Sequence, residues 1–577
     1  MTSVDPGELL QRARAWAAED PDSRTQQELL ALVEQQDYEE LAERMAGPLT
    51  FGTAGLRGLG GAGSARMNCA VVTRTTRAVA DYLLATQPGA AEVSVILGYD
   101  CRCDSRDLAE AAAAVLVAAG LRLQAFDRPV PTPLVAYAVR RHGAAAGIVI
   151  TASHNPPAYN GYKLFDGSGA QIAPPTDEWI ADRIAQVGPA CDVPRAPGAL
   201  DAGGPTRLLG DELFEQYLCD FEEHRPRIDA DRGLGLVYTP LHGVSWRYLQ
   251  KALGRAGFRN VHVVAEQAEP DGAFPTAPVP NPEDPSALEL ATALAQEAGA
   301  DLILANDPDG DRLAVSLPTS GGGWAPLTGN QIGLLLADFL LENASHATRP
   351  LVVSTVVSSP MLEAVAEAHG AAVEWTLTGF KWIARAGATR EQREALRFLF
   401  GYEEAIGYAL GPLVRDKDGI SAAVLFADLA AHCRARNESV RDRLDALYRR
   451  HGLWVSSQLS VELAGTRGAE QIAGAMDRLR RSPPSKLGDR KVVQAIDYMQ
   501  SVEDRPAWRP AADLVALNLA GGGSVRVRPS GTEPKLKIYV DLRISVATEQ
   551  SVRQREAAGL VEAAAMLSQV AAGLGLA

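Results

Sequence analysis

The strongest constraint on the fold is that three segments of the chain repeat one order of predicted elements. Each segment reads as an apolar strand, a helix that ends at a glycine, a second strand, and a third buried strand that leads into a polar loop. Short buried strands that alternate with helices predict right-handed parallel units. The third strands are 146–150, 301–305 and 396–400. We therefore predict three α/β domains that each present one polar loop at a sheet edge.

The last part of the chain follows a different pattern. Its apolar residues alternate over 455–463 and 524–544, as in antiparallel strands, and helices are predicted at 469–480 and 550–572. This pattern indicates a small α+β domain. The predicted fold is α/β, with three tandem related domains built on mixed, mostly parallel sheets and a C-terminal α+β domain. We place the four domains at 1–205, 206–322, 323–450 and 451–577. The proline- and glycine-rich stretch 188–205 is interpreted as the first interdomain linker.

The composition limits the classes of protein that the chain can belong to. The chain has 577 residues, a net charge of −15 and six cysteines, whose spacing gives neither a zinc site nor a disulfide framework. A negative chain is not expected to bind nucleic acid or an anionic membrane, because both attract positive surfaces. No apolar run approaches the ~18 residues of a membrane-spanning helix, and the first residues lack the features of a signal peptide. We expect a cytoplasmic protein.

Ser153 is the candidate covalent nucleophile. It lies in the loop Thr-Ala-Ser-His-Asn-Pro-Pro, with His154 beside it, directly after the buried strand 146–150. This position places the serine at the carboxyl edge of a sheet, where open α/β folds bind their ligands. A serine that only serves the turn is the alternative.

Three aspartates form the candidate metal site. Asp307, Asp309 and Asp311 alternate along an extended turn, so their carboxylates can converge on one hard cation, for which Mg²⁺ is the natural choice. An EF-hand is excluded, because it needs glycine at Arg312 and glutamate at Pro318. A solvated acidic loop is the alternative, and the position after a buried strand favours the metal site.

A third motif is typical of phosphate binding. Arg528, Ser530, Gly531 and Thr532 supply a guanidinium, two hydroxyls and exposed amides within five residues, and Lys535 adds positive charge. A plain hairpin turn is the competing interpretation. Further cations lie beside glycine-rich turns, and in an acidic chain we interpret them as phosphate-recognising: Arg57, Arg102, Lys163 and Lys417.

Together these parts describe phosphoryl transfer through a serine, with a metal to neutralise the transferring group and a remote clamp for a second phosphate. The chain resembles the α-D-phosphohexomutase superfamily, the phosphoglucomutase and phosphomannomutase enzymes, over essentially all of its length. The serine loop, the Asp-Pro-Asp-Gly-Asp-Arg loop, the Glu-Glu loop at 403–404 and the Arg-Pro-Ser-Gly-Thr loop occur in the order of that family. The resemblance implies four domains around a central cleft.

The resemblance also implies a role for each matching residue. Ser153 would be the phosphoserine of the active enzyme and would complete the Mg²⁺ site of the three aspartates. The residues implied around the reacting phosphoryl group are Arg57, His154, Lys163, Arg312 and Lys417, with Lys163 and Lys417 as candidates for proton transfer. The residues implied for binding the sugar and its second phosphate are Lys381, Glu403, Glu404, Arg528, Ser530, Gly531, Thr532 and Lys535.

The resemblance predicts an intramolecular phosphotransferase primed by a sugar bisphosphate, with a small phosphosugar as its partner. Tyr402 and Ala405 stand where the glucose-type loop of the family commonly has glycine and serine, so one hydroxyl contact is lost. We predict interconversion of glucose 1-phosphate and glucose 6-phosphate. The alternatives are a phosphomannomutase, a phosphopentomutase, a glucose 1,6-bisphosphate synthase, or a non-catalytic phosphosugar-binding protein. The sequence leaves the oligomeric state open.

Overall fold

The computed structural model describes residues 5–49, 55–87, 92–345, 347–463, 465–530, 535–547 and 550–576. They form four β-sheets with helices packed on them. The chain divides into two compact units, each with two of the sheets. The first unit is Met1–Arg225, Gly233–Ala325 and Leu413–Val424, and the second is Pro226–Arg232, Pro326–Pro412 and Leu425–Ala577. Within the described ranges, no helix is long and apolar enough to cross a membrane.

The first sheet has six strands in the order β1-β5-β4-β2-β3-β6. Strands β2, β3, β4 and β6 pair in parallel, while β5 runs antiparallel to β4 and to β1. Strand β4 is buried along its whole length, as expected for a parallel strand covered on both faces. The elements are α1 (Pro6–Glu19), α2 (Ser23–Gln35), α3 (Tyr38–Arg44), β1 (Leu56–Leu59), α4 (Cys69–Thr86), β2 (Ser94–Tyr99), α5 (Ser105–Ala118), β3 (Arg122–Phe126), α6 (Thr132–Arg141), β4 (Ala146–Ile150), β5 (Tyr159–Asp166), α7 (Thr176–Gln186), β6 (Arg207–Leu209) and α8 (Asp211–His224).

The stretch 188–205, predicted as the first interdomain linker, packs on the core of the first sheet. Val193 and Ala199 are buried in the core of the first sheet, and the Ala196 amide donates a hydrogen bond to the Ala114 carbonyl at 2.9 Å. Small apolar residues between the prolines and glycines bury against α5, and composition alone does not show this packing.

The second sheet has five strands in the order β11-β10-β9-β7-β8. Strand β7 pairs in parallel with β8 and β9, and β10 runs antiparallel to β9. Its elements are β7 (Leu236–Thr239), α9 (Trp246–Arg255), β8 (Val261–Val263), α10 (Ala265–Ala268), α11 (Glu289–Ala298), β9 (Leu302–Ala305), β10 (Ala314–Pro318) and β11 (Trp324–Pro326).

The third sheet repeats this arrangement with four strands in the order β13-β12-β14-β15. Strand β12 is parallel to both β13 and β14, and β15 is antiparallel to β14. Its elements are α12 (Gly329–Glu342), β12 (Arg349–Thr355), α13 (Met361–Ala368), β13 (Ala372–Thr376), α14 (Phe380–Arg393), β14 (Leu396–Glu403), β15 (Gly407–Leu410), α15 (Gly419–Ala435) and α16 (Val440–His451).

The fourth sheet has six strands in the order β16-β21-β20-β19-β18-β17, and its strands pair antiparallel. Its elements are β16 (Leu453–Glu462), α17 (Gly465–Arg481), β17 (Lys486–Leu487), β18 (Arg490–Asp497), β19 (Val515–Leu519), β20 (Gly523–Pro529), β21 (Lys535–Ile544) and α18 (Val552–Gly573). The predicted α/β class, with three mixed sheets of one plan and an antiparallel C-terminal sheet, is confirmed. The domain boundaries and the central cleft stay predictions.

A buried group of charges joins two helices of the second unit. The Arg443 Nε on α16 donates to Asp338 Oδ2 on α12 at 3.0 Å, and its Nη2 donates to Glu342 Oε2 at 2.7 Å. His369 Nε2 lies 2.9 Å from the other Asp338 oxygen. Burial alone would raise the pKa of Asp338, but His369 and Arg443 outweigh it and hold the pKa below its usual range.

Arg443→Met is expected to lower the free energy of unfolding of the second unit by about 3–5 kcal/mol, because it leaves Asp338 buried without its main cation. Since the folded-state pKa of Asp338 is lowered, the contribution is present at neutral pH and is lost as the pH falls below about 4. Urea denaturation at pH 7 measures the loss. Arg436→Met is the control, because Arg436 is 47% exposed and pairs with Glu342 at the surface, where such pairs contribute about 0–1 kcal/mol. Equal losses in both variants would contradict the prediction.

Candidate functional site

The loop between β4 and β5 holds Ser153 in a strained conformation. Ser153 has a φ of 53°, in the left-handed region, which costs a residue other than glycine roughly 1–3 kcal/mol. Its amide donates to Thr151 Oγ1 at 2.9 Å, and its Oγ donates to Asp307 Oδ2 at 2.6 Å. The close approach of β1 and of the residue after β4 depends on Gly161, where a Cβ would lie 2.7 Å from the Leu56 carbonyl oxygen and 2.6 Å from that of Thr151. The serine is therefore buried and directed at the second sheet's acidic loop.

The three predicted aspartates converge after β9. Carboxylate oxygens of Asp307, Asp309 and Asp311, all buried, lie within 4.8 Å of one another. Gly310 makes the turn with a φ of 68°, and a Cβ there would lie 2.2 Å from Ser245 Oγ. The three carboxylates therefore converge, as the alternation of aspartates in the sequence predicted.

Lysines and backbone amides contact one side of the aspartate cluster. Lys163 Nζ donates to Asp309 Oδ2 at 2.7 Å and to Asp311 Oδ2 at 2.9 Å, and Lys417 Nζ lies 3.2 Å from Asp311 Oδ2. The Arg312 amide donates to Asp307 Oδ1 at 3.0 Å. The second oxygens of Asp309 and Asp311 are buried and accept no hydrogen bond from any residue that the structure describes.

Buried carboxylate oxygens without partners are costly, and a divalent cation is the group that satisfies them. Asp309 Oδ1, Asp311 Oδ1 and Asp307 Oδ2, the last beside Ser153 Oγ, therefore form a donor set of oxygens suited to Mg²⁺. The arrangement fits a hard metal ion with the serine oxygen next to it.

The charges at this cluster shift the pKa values in opposite directions. Burial, together with the charges of Asp309 and Asp311, raises the pKa of Asp307 well above its usual range. Burial would also raise the pKa of Asp309, but Lys163 outweighs it and the pKa is lowered. For Lys163 the balance is reversed. Burial would lower its pKa, but Asp309 and Asp311 outweigh this effect and raise it, so the side chain stays an ammonium.

His154 and two arginines surround the serine. His154 Nδ1 lies 3.3 Å from Ser153 Oγ, and burial, followed by the charges of Arg312 and Arg57, lowers the pKa of this histidine. It is neutral at pH 7. Arg57 Nη1 donates to Asn155 Oδ1 at 3.2 Å. The Arg312 guanidinium lies beside the aspartate cluster, with Nε 4.0 Å from Asp311 Oδ1 and Nη1 3.5 Å from Glu283 Oε2.

Lys417 reaches the cluster from a segment that belongs to the first unit, although both flanking parts of the chain belong to the second. Asp416 Oδ2 accepts a hydrogen bond from Gln171 at 2.8 Å, and Asp418 Oδ2 accepts one from Tyr217 at 2.7 Å. Gly419 lies so close that a Cβ would be 2.3 Å from the Arg312 carbonyl oxygen. Sequence order had grouped Lys417 with the third domain.

Arg102 is not a phosphate-recognising cation as the sequence suggested. Its side chain is completely buried and donates to backbone carbonyls of the serine loop. The prediction was wrong because a glycine-rich neighbourhood does not show whether a guanidinium faces solvent or the interior.

The sugar-binding residues predicted at 403–404 lie in the second unit. Strand β14 continues past residue 400 to Glu403, which accepts a hydrogen bond from the Gly379 amide at 2.7 Å. The buried Tyr402 extends the strand by pairing with Tyr408 of β15. Glu404 follows in the turn and accepts a hydrogen bond from Thr355 Oγ1 at 3.2 Å. The predicted loop is thus a tight hairpin turn.

Among the predicted phosphate residues, Arg528 lies on β20, Ser530 directly follows that strand, and Lys535 begins β21 of the same unit. The guanidinium carbon of Arg528 lies 5.8 Å from the centroid of the Tyr539 ring, and the Arg528 Nη2 donates to the tyrosine hydroxyl at 3.2 Å. The Ser530 amide donates to the Lys535 carbonyl at 2.7 Å. Lys535 Nζ lies 2.8 Å from Glu462. Gly531 and Thr532 lie outside the described residues.

Two residues complete this part of the molecule. Lys381 on α14 is buried, with Nζ 5.4 Å from the ring of Trp382. The sequence analysis missed Tyr539, whose pKa is raised by burial and then by Glu404, with a smaller contribution from Glu403. The charges of Glu403, Glu404 and Arg528 therefore all act on the Tyr539 hydroxyl. Only the alternation of apolar residues marks it in the sequence.

Four family models match the chain in order. They are the phosphoglucomutase/phosphomannomutase alpha/beta/alpha domain I over residues 48–189, domain II over 215–321, domain III over 328–451, and the C-terminal domain over 487–559.

Curated relatives match over most of their length. A protein named probable phosphomannomutase from Haemophilus influenzae is 38% identical, over 83% of this chain and 93% of its own. A probable phosphoribomutase from Schizosaccharomyces pombe is 36% identical, over 92% of each chain. A phosphoglucomutase from Staphylococcus aureus is 31% identical, over 88% of this chain and 92% of its own.

Proposed function

The chain belongs to the phosphoglucomutase/phosphomannomutase family, and on this premise we propose that it interconverts glucose 1-phosphate and glucose 6-phosphate through a phosphoserine at Ser153. The family makes it an intramolecular phosphotransferase, an isomerase that acts on sugar phosphates. The observation that carries the proposal is the buried serine whose Oγ lies 2.6 Å from Asp307, within a cluster of three aspartates.

Asp307, Asp309 and Asp311 would hold Mg²⁺, since two of them keep a buried oxygen without a hydrogen-bond partner among the described residues. When bound, the ion would neutralise charge on the transferring phosphoryl group and on the serine oxygen. The side chain of Lys163 bridges two of these carboxylates and keeps them in place. Arg57 and Arg312 would face the phosphoryl oxygens that these groups leave exposed.

The reaction consists of two phosphoryl transfers in sequence. In the first, the bond between phosphorus and the serine oxygen breaks while phosphorus bonds to a free hydroxyl oxygen of the sugar phosphate, and that hydroxyl loses its proton. The resulting bisphosphate then returns its other phosphoryl group to Ser153, and the freed sugar oxygen takes up a proton. The cycle consumes no proton overall. Lys163 and Lys417 are the candidates for carrying the proton between the two sugar oxygens. A sugar bisphosphate is the primer that loads the serine.

The second unit would hold the rest of the substrate. Glu403 and Glu404 would accept hydrogen bonds from sugar hydroxyls, with Lys381 nearby on α14. Arg528, Ser530 and Lys535 would bind the phosphate that is not reacting, together with Gly531 and Thr532 of the same motif. The contact of Arg528 with Tyr539 supports this role, because the hydrogen bond to the tyrosine hydroxyl helps to orient the guanidinium.

A pentose phosphate is the second candidate substrate. Ala405 offers no hydroxyl to the sugar at the position where serine is common in the glucose type. A smaller sugar loses least from that missing contact, and one curated relative is named phosphoribomutase.

The substrate is tested by ³¹P NMR of the purified protein with Mg²⁺, a matching bisphosphate primer, and glucose, mannose or ribose 1-phosphate in turn. We expect glucose 1-phosphate to be converted to its terminal phosphate at the highest rate. Faster conversion of ribose 1-phosphate would select the pentose alternative. The absence of conversion with every sugar, although mass spectrometry shows Ser153 phosphorylated, would reject the mutase.

A further inference from the structure

Arg102 holds the serine loop from inside the protein. It follows β2, and its side chain is completely buried. Its two Nη atoms donate hydrogen bonds to four backbone carbonyls, three in the loop between β4 and β5 and one at the first residue of β5. The accepting oxygens are those of Ser153 at 2.7 Å, Asn155 at 2.6 Å, Pro156 at 2.8 Å and Tyr159 at 2.8 Å.

Asp100 connects the same arginine to the other side of Ser153. Its carboxylate lies 3.2 Å from the Arg102 Nε and accepts a hydrogen bond from Thr151 Oγ1 at 2.6 Å. The Thr151 Oγ1 in turn accepts the Ser153 amide. One buried ion pair therefore fixes both the amide and the carbonyl of the nucleophile.

A segment that follows β8 covers this ion pair. The ring of Phe274 lies 5.1 Å from the Arg102 guanidinium carbon, and Phe274 is itself completely buried. Gly272 lies so near that a Cβ would be 2.7 Å from the Arg102 Cα. The guanidinium is thus buried away from solvent, between Asp100, Phe274 and the backbone carbonyls that it holds.

We propose that Arg102 is a positioning residue for phosphoryl transfer at Ser153, and that with Asp100 it holds the serine in its left-handed conformation with the Oγ directed at Asp307. This inference rests on the proposed function for its effect on rate. A left-handed serine persists only where its surroundings fix it, and the four carbonyl hydrogen bonds supply that constraint. A planar guanidinium can make all four, whereas an ammonium with three donors cannot.

Arg102→Lys is expected to slow phosphorylation of Ser153 by glucose 1,6-bisphosphate about 100-fold, because a misplacement of about 1 Å costs that much in rate. The time course is followed by intact-protein mass spectrometry. The KM for the bisphosphate is expected to stay close to that of the protein without substitutions, since the buried Arg102 side chain does not contact the bisphosphate. Arg66→Lys is the matched control, because Arg66 is also buried in the first unit but pairs with Glu43 and Glu40 away from the loop.

Hydrogen exchange gives a readout that is independent of any reaction. Exchange in the segment 151–161 is expected to be faster in Arg102→Lys than in Arg66→Lys. Phe274→Leu keeps the arginine and removes its aromatic cover, and is expected to slow phosphorylation on the order of 10-fold, so it serves if Arg102→Lys does not fold.

The outcomes separate the positioning role of Arg102 from the proposed function. Unchanged exchange and unchanged phosphorylation in folded Arg102→Lys would overturn the positioning role. Exchange in Arg102→Lys could be faster although no sugar bisphosphate phosphorylates this variant or the protein without substitutions. That result would support the loop contact. It would reject the proposed function, and with it the effect on rate.

Discussion

Ser153→Ala is expected to lower turnover of the sugar phosphate by about 10⁴-fold or more, because in the proposed reaction it removes the atom to which the phosphoryl group returns. The fold should be kept, since the lost hydroxyl donates one hydrogen bond, to Asp307. A coupled assay with primer and Mg²⁺ measures turnover, and mass spectrometry measures the added phosphate of 80 Da (about one HPO₃ group).

Ser168→Ala is the control for this substitution. Ser168 lies after β5 in the same unit and donates to Asp166 rather than to the aspartate cluster. It should keep both turnover and the phosphate. Turnover by Ser153→Ala within 10-fold of the unmodified protein would show that the phosphoryl group takes another route.

Asp309→Asn is expected to lower turnover on the order of 10³-fold and to remove the stabilisation by Mg²⁺. In the proposed reaction a bound metal ion would supply several kcal/mol of charge stabilisation, and about 1.4 kcal/mol is a factor of ten in rate. Asp309 keeps a buried oxygen without a partner among the described residues, so a bound ion should stabilise the fold. At saturation we expect Mg²⁺ to raise the Tm of the unmodified protein on the order of 5 °C.

Asp418→Asn is the matched control, because Asp418 is a buried aspartate of the same unit that accepts hydrogen bonds from Tyr217 and from backbone amides. It should lose stability but keep the Mg²⁺ shift. Differential scanning fluorimetry with and without EDTA measures both proteins. A Mg²⁺ shift of full size in Asp309→Asn would contradict the proposed metal site.

The two predictions concern residues that the sequence placed well. Strand β4 runs over the residues that its apolar pattern predicted, and the loop after it carries Ser153. Strand β9 ends directly before the aspartates, as predicted. Local patterns suffice here because a short apolar run followed by a polar turn encodes both the strand and its end.

The features that the sequence did not predict depend on partners distant in the chain. Strand β14 runs on past residue 400 because Gly401 and Tyr402 pair with Val353 and Ser354 of β12. The stretch 188–205 packs on the first core because its valine and alanines find room there. Neither pairing nor packing leaves a period in the sequence.

The sequence by itself determined the fold class, the three repeated units and the residue types of the four loops, because helix and strand periods and turn residues are local properties. Only the tertiary structure decided which charges meet. It places Lys163 between two aspartates, brings Lys417 into the first unit, and turns Arg102 inward onto the serine loop. These outcomes depend on strand register and on the packing of distant segments. The sequence alone does not show whether a cationic side chain binds a ligand or holds the backbone.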